Sequence, residues 1–308
     1  MRITLIHQPG AGDGSQPAAA ELRQLIRAAG HDATYVSARE DWHAALDAPA
    51  DLVVVAGGDG TVGRVAQALV GRERPFTALP LGTANNIART LGLADRPVAE
   101  LIAAWEHGVV TRYDVGLARG PWGERHFIEG CGAGIFARLL PEADAHPTLE
   151  ALAHADAKLD YALQLLRDRL VSCTVERIEL ALDGGDLSGD YLMLEAMNMQ
   201  YVGPRLYLAP ACDLADGLLD VVLVRADERD ELHRYLSDWQ NGREWPAALA
   251  MRRASRIELR WTGFPFHLDD TSWPECDEPL PAHGSIELSV LRGALPFLAE
   301  PQVRSEVE

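Results

Sequence analysis

A chain of 308 residues has room for about two domains and a large core. Its apolar content of 47% is that of an ordinary globular protein, and no apolar run approaches the length of a membrane span. A formal charge of −18 argues against nucleic acid as a partner, because phosphate neutralisation needs Lys and Arg, and against broad electrostatic docking on an anionic membrane.

Residues 3–7 read as a short strand, too brief for the apolar segment of a signal peptide. A loop, Gln8-Pro9-Gly10-Ala11-Gly12-Asp13-Gly14, follows it. Next come a helix over 18–29 ended by Gly30, a strand over 34–36, a short helix over 42–46 and a strand over 52–55. A fourth strand spans 76–79, and a helix then runs through Ile87 and Leu91. Alternation of this kind implies a parallel sheet covered by helices, with ligands bound beyond the carboxyl ends of the strands.

The character changes after about Val115. Strands are expected over 125–129, 175–182, 191–197, 206–209, 218–225, 255–261, 264–268 and 285–291, with a hairpin turn at Asp183-Gly184-Gly185-Asp186. One long helix, about 149–170, interrupts them with Leu152, Leu159, Leu163 and Leu166 on one face. The pattern is thus an α/β domain over 1–120 followed by a mostly antiparallel β half over 121–291. The arginine-rich stretch from Arg225 to Arg260 interleaves with acids and reads as a solvated face, a membrane-touching patch being the alternative. Cys131, Cys173, Cys212 and Cys276 are far apart with no CxxC pair, and they read as free thiols of a reducing cytoplasm.

Two loops carry the chemistry. Val53-Val54-Val55-Ala56 runs into Gly57-Gly58-Asp59-Gly60-Thr61, and Val62, Val65, Ala66 and Leu69 then recur at helical spacing. Glycines there let backbone N–H groups approach a phosphate at a helix N-terminus. Asp59 cannot bind a bare phosphate, so its expected target is Mg²⁺, directly or through water. Pro80-Leu81-Gly82-Thr83-Ala84-Asn85-Asn86 repeats the arrangement, with Asn85 as a good helix N-cap.

On these residues the chain resembles the diacylglycerol kinase family, which also holds sphingosine and ceramide kinases and the bacterial soluble lipid kinases. Residues 8–12 look like its opening Asn-Pro-x-Ser/Ala-Gly turn, 57–61 match its GGDGT signature and 80–86 its P-x-G-T-x-N-D loop. Asp114, Asn198, Gly203, Pro210 and Asp216-Gly217-Leu218-Leu219-Asp220 follow its later pattern, and His267-Leu268-Asp269 sits at its Asp-Gly-Glu motif. The resemblance implies an α/β nucleotide-binding domain and a mostly antiparallel β-sandwich domain, with about 292–308 packing back on the first, an active site between the two, and transfer of the ATP γ-phosphate to a lipid hydroxyl. It further implies that Gly10, Gly12, Gly57, Gly58, Gly60, Thr61, Gly82, Thr83, Asn85 and Asn86 line the nucleotide site. Asp59 and Asp114 would organise the catalytic Mg²⁺, and Asp269 would be the base, with Asp270 beside it. A structural Mg²⁺ would take Asp213, Asp216 and the Leu218 carbonyl, an Asx-type turn being the alternative for the two acids. The expected partner is a lipid met transiently at a membrane surface by a cytoplasmic protein, with a homodimer left open.

The departures fall on charged groups. Asn86 stands where the bacterial kinases carry Asp, Phe136 stands at the Asp of a G-x-G-F-D-A segment, and Asp269-Asp270-Thr271 lacks the Glu of Asp-Gly-Glu. They motivate a second reading, a lipid- or nucleotide-binding relative with degraded chemistry. A third, an NAD kinase, calls for an Asn-Glu pair where this chain has Asn85-Asn86.

Overall fold

The computed structural model describes residues 1–12, 16–243, 245–274 and 283–299. Cys276 and the chain from 300 onward lie outside the described residues. The structure divides into two compact units, one of Met1–Tyr113 with the chain from Gly293, the other Asp114–Arg292.

The first unit alternates strand and helix: β1 (Arg2–His7), α1 (Ala19–Ala28), β2 (Asp32–Ser37), β3 (Leu52–Gly57), α2 (Asp59–Leu69), β4 (Phe76–Pro80), α3 (Asn86–Thr90) and α4 (Val98–Ala104). The strands lie in the order β4-β3-β1-β2, all parallel, with Leu5 beside Val54 and Val54 beside Thr77. Every residue of β3 is buried, as expected of a central parallel strand covered on both faces. Helix α1 buries Leu22 and Ile26, four apart on one face, and Gly30 follows it at φ +80, a left-handed position that costs glycine nothing. The expected short helix near 42–46 is a single 3₁₀ turn, His43–Leu46, that buries Leu46.

Strand β5 (Val109–Gly120) carries the chain into the second unit. There follow β6 (Gly123–Phe127), β7 (Gly130–Gly134), α5 (Ile135–Asp144), α6 (Pro147–Ala151), α7 (Ala155–Ser172), β8 (Glu176–Leu182), β9 (Gly185–Asp186) and β10 (Gly189–Met197). The remainder is β11 (Tyr201–Val202), β12 (Leu206–Tyr207), β13 (Leu219–Arg225), α8 (Arg229–Gln240), β14 (Ala250–Ala254), β15 (Arg256–Trp261), β16 (Phe266–Leu268), β17 (Thr271–Trp273) and β18 (Gly284–Ala299). The strand pairings within this unit are antiparallel, in the order β17-β16-β7-β10-β8-β15-β18.

Strand β10 organises the unit. Its first residues, Gly189 to Tyr191, pair with β8, and Met193 to Met197 then pair with β7 along the same edge. Its other edge belongs to β13. Side chains leave β10 in two directions. Tyr191, Leu194 and Ala196 join a core with Phe127, Ile257, Trp261 and Phe266. Leu192, Met193 and Met197 join a second core with Leu163, Leu166 and Leu170 of α7 and Leu232, Leu236 and Trp239 of α8.

Four expectations need correcting. The long helix over 149–170 is two: α6 ends at Ala151, Leu152 is extended, and α7 starts at Ala155 and runs to Ser172. Pro147 and the His146 side chain, which accepts the Thr148 N–H, start α6, and it buries nothing; only α7 has an apolar face to hold. Helix α5 was hidden in the glycine-rich stretch, where Gly134 at φ +95 turns strand into helix. Helix α8 was masked by arginines, although Leu232, Leu236 and Trp239 recur at helical spacing. Strand β18 runs well past Leu291. Its end belongs to the first unit, where Phe297 aligns with Phe76 of β4, ring centroids 5.1 Å apart, and Ala294 O accepts the Gly71 N–H at 2.9 Å.

Leu166, 1% exposed, anchors α7. Leu166→Ala is expected to destabilise the protein by about 2–5 kcal/mol, read as a lowered urea midpoint, because a cavity is left under the helix.

Candidate functional site

In the first unit the loops after β1, β3 and β4 meet at their glycines. A Cβ on Gly82 would lie 2.3 Å from Gly58 Cα, and one on Gly12, at φ +71, would lie 2.6 Å from the Leu81 carbonyl oxygen. No side chain fits at either place, so three backbones touch beyond the sheet's carboxyl edge. Gly58 precedes α2 with extended backbone and without a side-chain cap, which leaves that helix N-terminus suited to an anion. Thr61 is buried in the first turn, Thr83 is half-buried, and Gly10 sits in the first loop, where Arg39 donates to Pro9 O at 2.7 Å.

Asp59 ties two of these loops together. It is the first residue of α2, and its Oδ1 accepts the Ile87 N–H of α3 at 3.0 Å. Burial pushes its carboxyl up, while the amides of Ile87, Asn86 and Asn85 pull it partly back. Asn85 does not cap α3 with its side chain, as expected, but sits left-handed at φ 55. Its Oδ1 accepts the Gly82 N–H at 2.8 Å and its Nδ2 donates to Gly82 O at 3.0 Å. Asn86 is 3% exposed, inside the loop rather than on its rim. The cap of α3 therefore comes from Asp59, across the sheet edge.

In the second unit Asp114 of β5 meets the turn that carries Asp213 and Asp216, and Asp269 occupies another turn. Asp114 is buried; its N–H donates to Leu214 O at 2.7 Å and its Oδ2 accepts the Gly217 N–H at 2.6 Å. Asn198 Nδ2 bridges the carbonyls of Asp114 and Ile128 at 3.2 and 3.1 Å. Asp213 accepts the Ala215 N–H at 3.0 Å and Asp216 Oδ1 the Leu218 N–H at 2.9 Å, both Asx turns. Asp216 Oδ2 pairs with Arg253. This geometry does not fit the structural Mg²⁺ implied for Asp213, Asp216 and the Leu218 carbonyl, since an arginine already neutralises Asp216. Among the described residues no group of three His, Cys, Asp or Glu stands where it could hold a metal ion. The neighbouring arginines are similarly engaged, Arg256 with Glu258 and Glu287 and Arg260 with Glu179.

Asp269 and Asp270 form the two-residue turn between β16 and β17, where Leu268 pairs with Thr271. Asp269 is left-handed at φ 49. Its Oδ1 accepts the N–H groups of Ile128, Glu129 and Gly130 at 3.0, 2.8 and 3.2 Å, and its Oδ2 accepts that of Ile128 at 2.9 Å. Asp270 is exposed. Burial and the Asp270 charge push the Asp144 carboxyl at the end of α5 up.

Two buried acids stand inside apolar strands: Glu195, which the sequence motifs do not include, and Asp220, which enters them only as the end of the 216–220 pattern. Glu195 of β10, 0% exposed, pairs with His267 of β16. Asp220 of β13, 1% exposed, lies 3.5 Å from Arg253; burial pushes its carboxyl up to about 6 against a weaker opposing bond from the Cys212 thiol.

A model described as the diacylglycerol kinase catalytic domain matches residues 2–118, and one described as the YegS C-terminal NAD kinase beta sandwich-like domain matches 141–293. The chain belongs to the diacylglycerol kinase family. It is 27% identical to a Bacillus subtilis diacylglycerol kinase over 73% of this chain and 74% of that one, and 24% identical to a Mycobacterium tuberculosis diacylglycerol kinase over 96% and 94%. A solved putative diacylglycerol kinase from Bacillus anthracis superposes with a TM-score of 0.71 at 20% identity, covering 97% of each chain. Yeast NADH kinase shares the fold at a TM-score of 0.53 and 9% identity, covering 98% of this chain and 84% of that one. Family membership makes the coarse activity that of a lipid kinase. Among the described residues no helix is long and apolar enough to cross a membrane.

Gly82→Ala is expected to cost about 1–3 kcal/mol, read by thermal unfolding, because its Cβ must displace the Gly58 backbone. A second test concerns pH. Asp220 binds its proton more tightly folded than unfolded, so between 3.8 and about 6 the native state holds more protons. Stability from this group therefore falls as pH rises through that window and stays lost above it. Asp220→Asn should flatten that fall in urea titrations between those limits.

Proposed function

We propose that the protein transfers the γ-phosphate of ATP to the hydroxyl of a lipid, with diacylglycerol as the first substrate to test. The observation that carries this reading is the meeting of three loops at Gly12, Gly58 and Gly82 beside the uncapped start of α2. That arrangement suits a nucleotide's phosphates, with backbone amides as donors and no Cβ in the way. Gly10, Gly57, Gly60, Thr61, Thr83, Asn85 and Asn86 belong to the same loops and complete this site. Mg²⁺ belongs to the reading as the cation that neutralises β- and γ-phosphates in such enzymes. The chain's own part is to fix the nucleotide loops, through Asp59, and to offer a carboxylate to the acceptor hydroxyl. Asp269, whose carboxylate accepts the amides of Ile128, Glu129 and Gly130, is the group this reading assigns to that proton, Asp270 lying beside it. Asp114, on β5 and bonded to the Gly217 N–H, supports the reaction together with Asp59 in this reading. The lipid would be met transiently at a membrane surface by a cytoplasmic protein.

A second reading, a binding protein with degraded chemistry, is favoured by one observation: the Asp216 carboxylate, a metal ligand by resemblance, is paired with Arg253. One assay separates the two. With labelled γ-phosphate ATP and Mg²⁺, a panel of diacylglycerol, monoacylglycerol, ceramide and sphingosine in micelles should give a labelled lipid. Asp59→Asn, which keeps the shape but drops the charge of the loop bridge, should lower the rate at least about 100-fold. ATP binding without transfer to any of the lipids would reject the kinase reading in favour of the second.

A further inference from the structure

Glu195 and His267 lie on β10 and β16, which are not neighbours; β7 runs between them. In the register both residues align with Gly132 of β7. Two strand spacings separate them, about 10 Å of backbone. Yet His267 Nε2 lies 3.0 and 2.9 Å from the two Glu195 carboxylate oxygens. The bridge exists because Gly132 has no side chain. A Cβ there would lie 2.8 Å from Glu195 Cδ and 2.0 Å from Leu194 O.

The other ring nitrogen is equally committed. His267 Nδ1 lies 3.0 Å from the Asp269 carbonyl oxygen. A carbonyl only accepts, so Nδ1 carries a proton, and Nε2 shares one with a carboxylate. Both residues are fully enclosed, His267 at 2% and Glu195 at 0% exposure, and a pair without solvent is retained only where its geometry is specific. Burial pulls the imidazole down, but Glu195 and the Asp269 carbonyl outweigh it, and the net shift is upward. The titratable groups that act on the ring are Glu195 from β10 and Asp269 of the turn.

We propose that the Glu195–His267 pair positions the Asp269 turn: the His267 Nδ1–H clamps the Asp269 carbonyl, holds the left-handed backbone there, and so aims the carboxylate at the amides of Ile128, Glu129 and Gly130. His267 is thus a positioning residue for the phosphate-acceptor side of the reaction, an inference that rests on the functional reading of Asp269 above. The turn needs such a clamp because Asp269 itself, a non-glycine residue, is held at φ 49. A non-glycine residue at positive φ carries strain that its surroundings must hold.

The first measurement is ¹⁵N–¹H NMR of the wild-type ring, identified by its absence in His267→Asn. A protonated Nδ1 at pH 7.5 is expected, and an unprotonated Nδ1 overturns the proposal without any variant having to be active. The second uses a Glu195→Gln background, so that no unpaired charge is buried. There His267→Asn keeps a donor where Nδ1 stands, whereas His267→Leu fills space only. The Asn double variant should keep kcat within about threefold of Glu195→Gln, while the Leu variant loses at least about tenfold with ATP KM within about twofold. Amide exchange at 128–130 should quicken at least about tenfold in the Leu variant and not in the Asn variant. Equal amide exchange in the two overturns the proposal, because a merely space-filling histidine predicts it. Asp269→Asn separates the two claims. Wild-type kcat in that variant rejects the role of Asp269 in the reaction, and the positioning claim then stands or falls on the ring proton and the amide exchange.

Discussion

Carboxylates that receive backbone N–H groups are the interaction on which these loops depend. Loops have amide donors that no ladder satisfies, and an unpaired buried donor is expensive. Asp59 takes the N–H of Ile87, Asp114 that of Gly217, and Asp269 those of Ile128, Glu129 and Gly130. Each acid thereby converts a flexible segment into a fixed one. In the proposed reaction the same acids would also act on nucleotide and acceptor, so fixing the loops and acting on substrate would compete for the same lone pairs.

Glycine plays the complementary part. Where Gly58 and Gly82 meet, any side chain would force two loops apart, and where Gly132 lies between Glu195 and His267 a side chain would break the bridge across β7. In both places the absence of a Cβ allows a polar contact or a close backbone approach that the strand spacing alone would forbid. Strand β10 shows the opposite economy. Its side chains fill two cores, and the only charge it buries, Glu195, is matched by His267.

Much of this was legible in the chain. The β-branched run before Gly57 marked a central parallel strand, and the glycine loops marked the ends where a ligand belongs. Leu159, Leu163 and Leu166 showed the buried face of α7, but Leu152, in phase with them, falls in an extended break between α6 and α7. Helix α5 was not legible, since a glycine-rich stretch reads as loop until Gly134 is seen at positive φ. Glu195 and Asp220 were visible as acids inside apolar runs, a pattern that announces a buried partner without naming it.

The sequence by itself determined the periodicities, the glycine-acid-hydroxyl spacing of the two loops and hence the family and the fold class. Those are local properties, set by neighbours within a few positions along the chain. Only the tertiary structure decided what each acid touches. Asp59 caps a helix that starts at Asn86, Asp216 is held by Arg253, and Glu195 reaches His267 over a glycine in a third strand. Such pairings join residues tens of positions apart. They depend on strand order and register, which the folded chain fixes through its packed core as a whole and which no short window of sequence records.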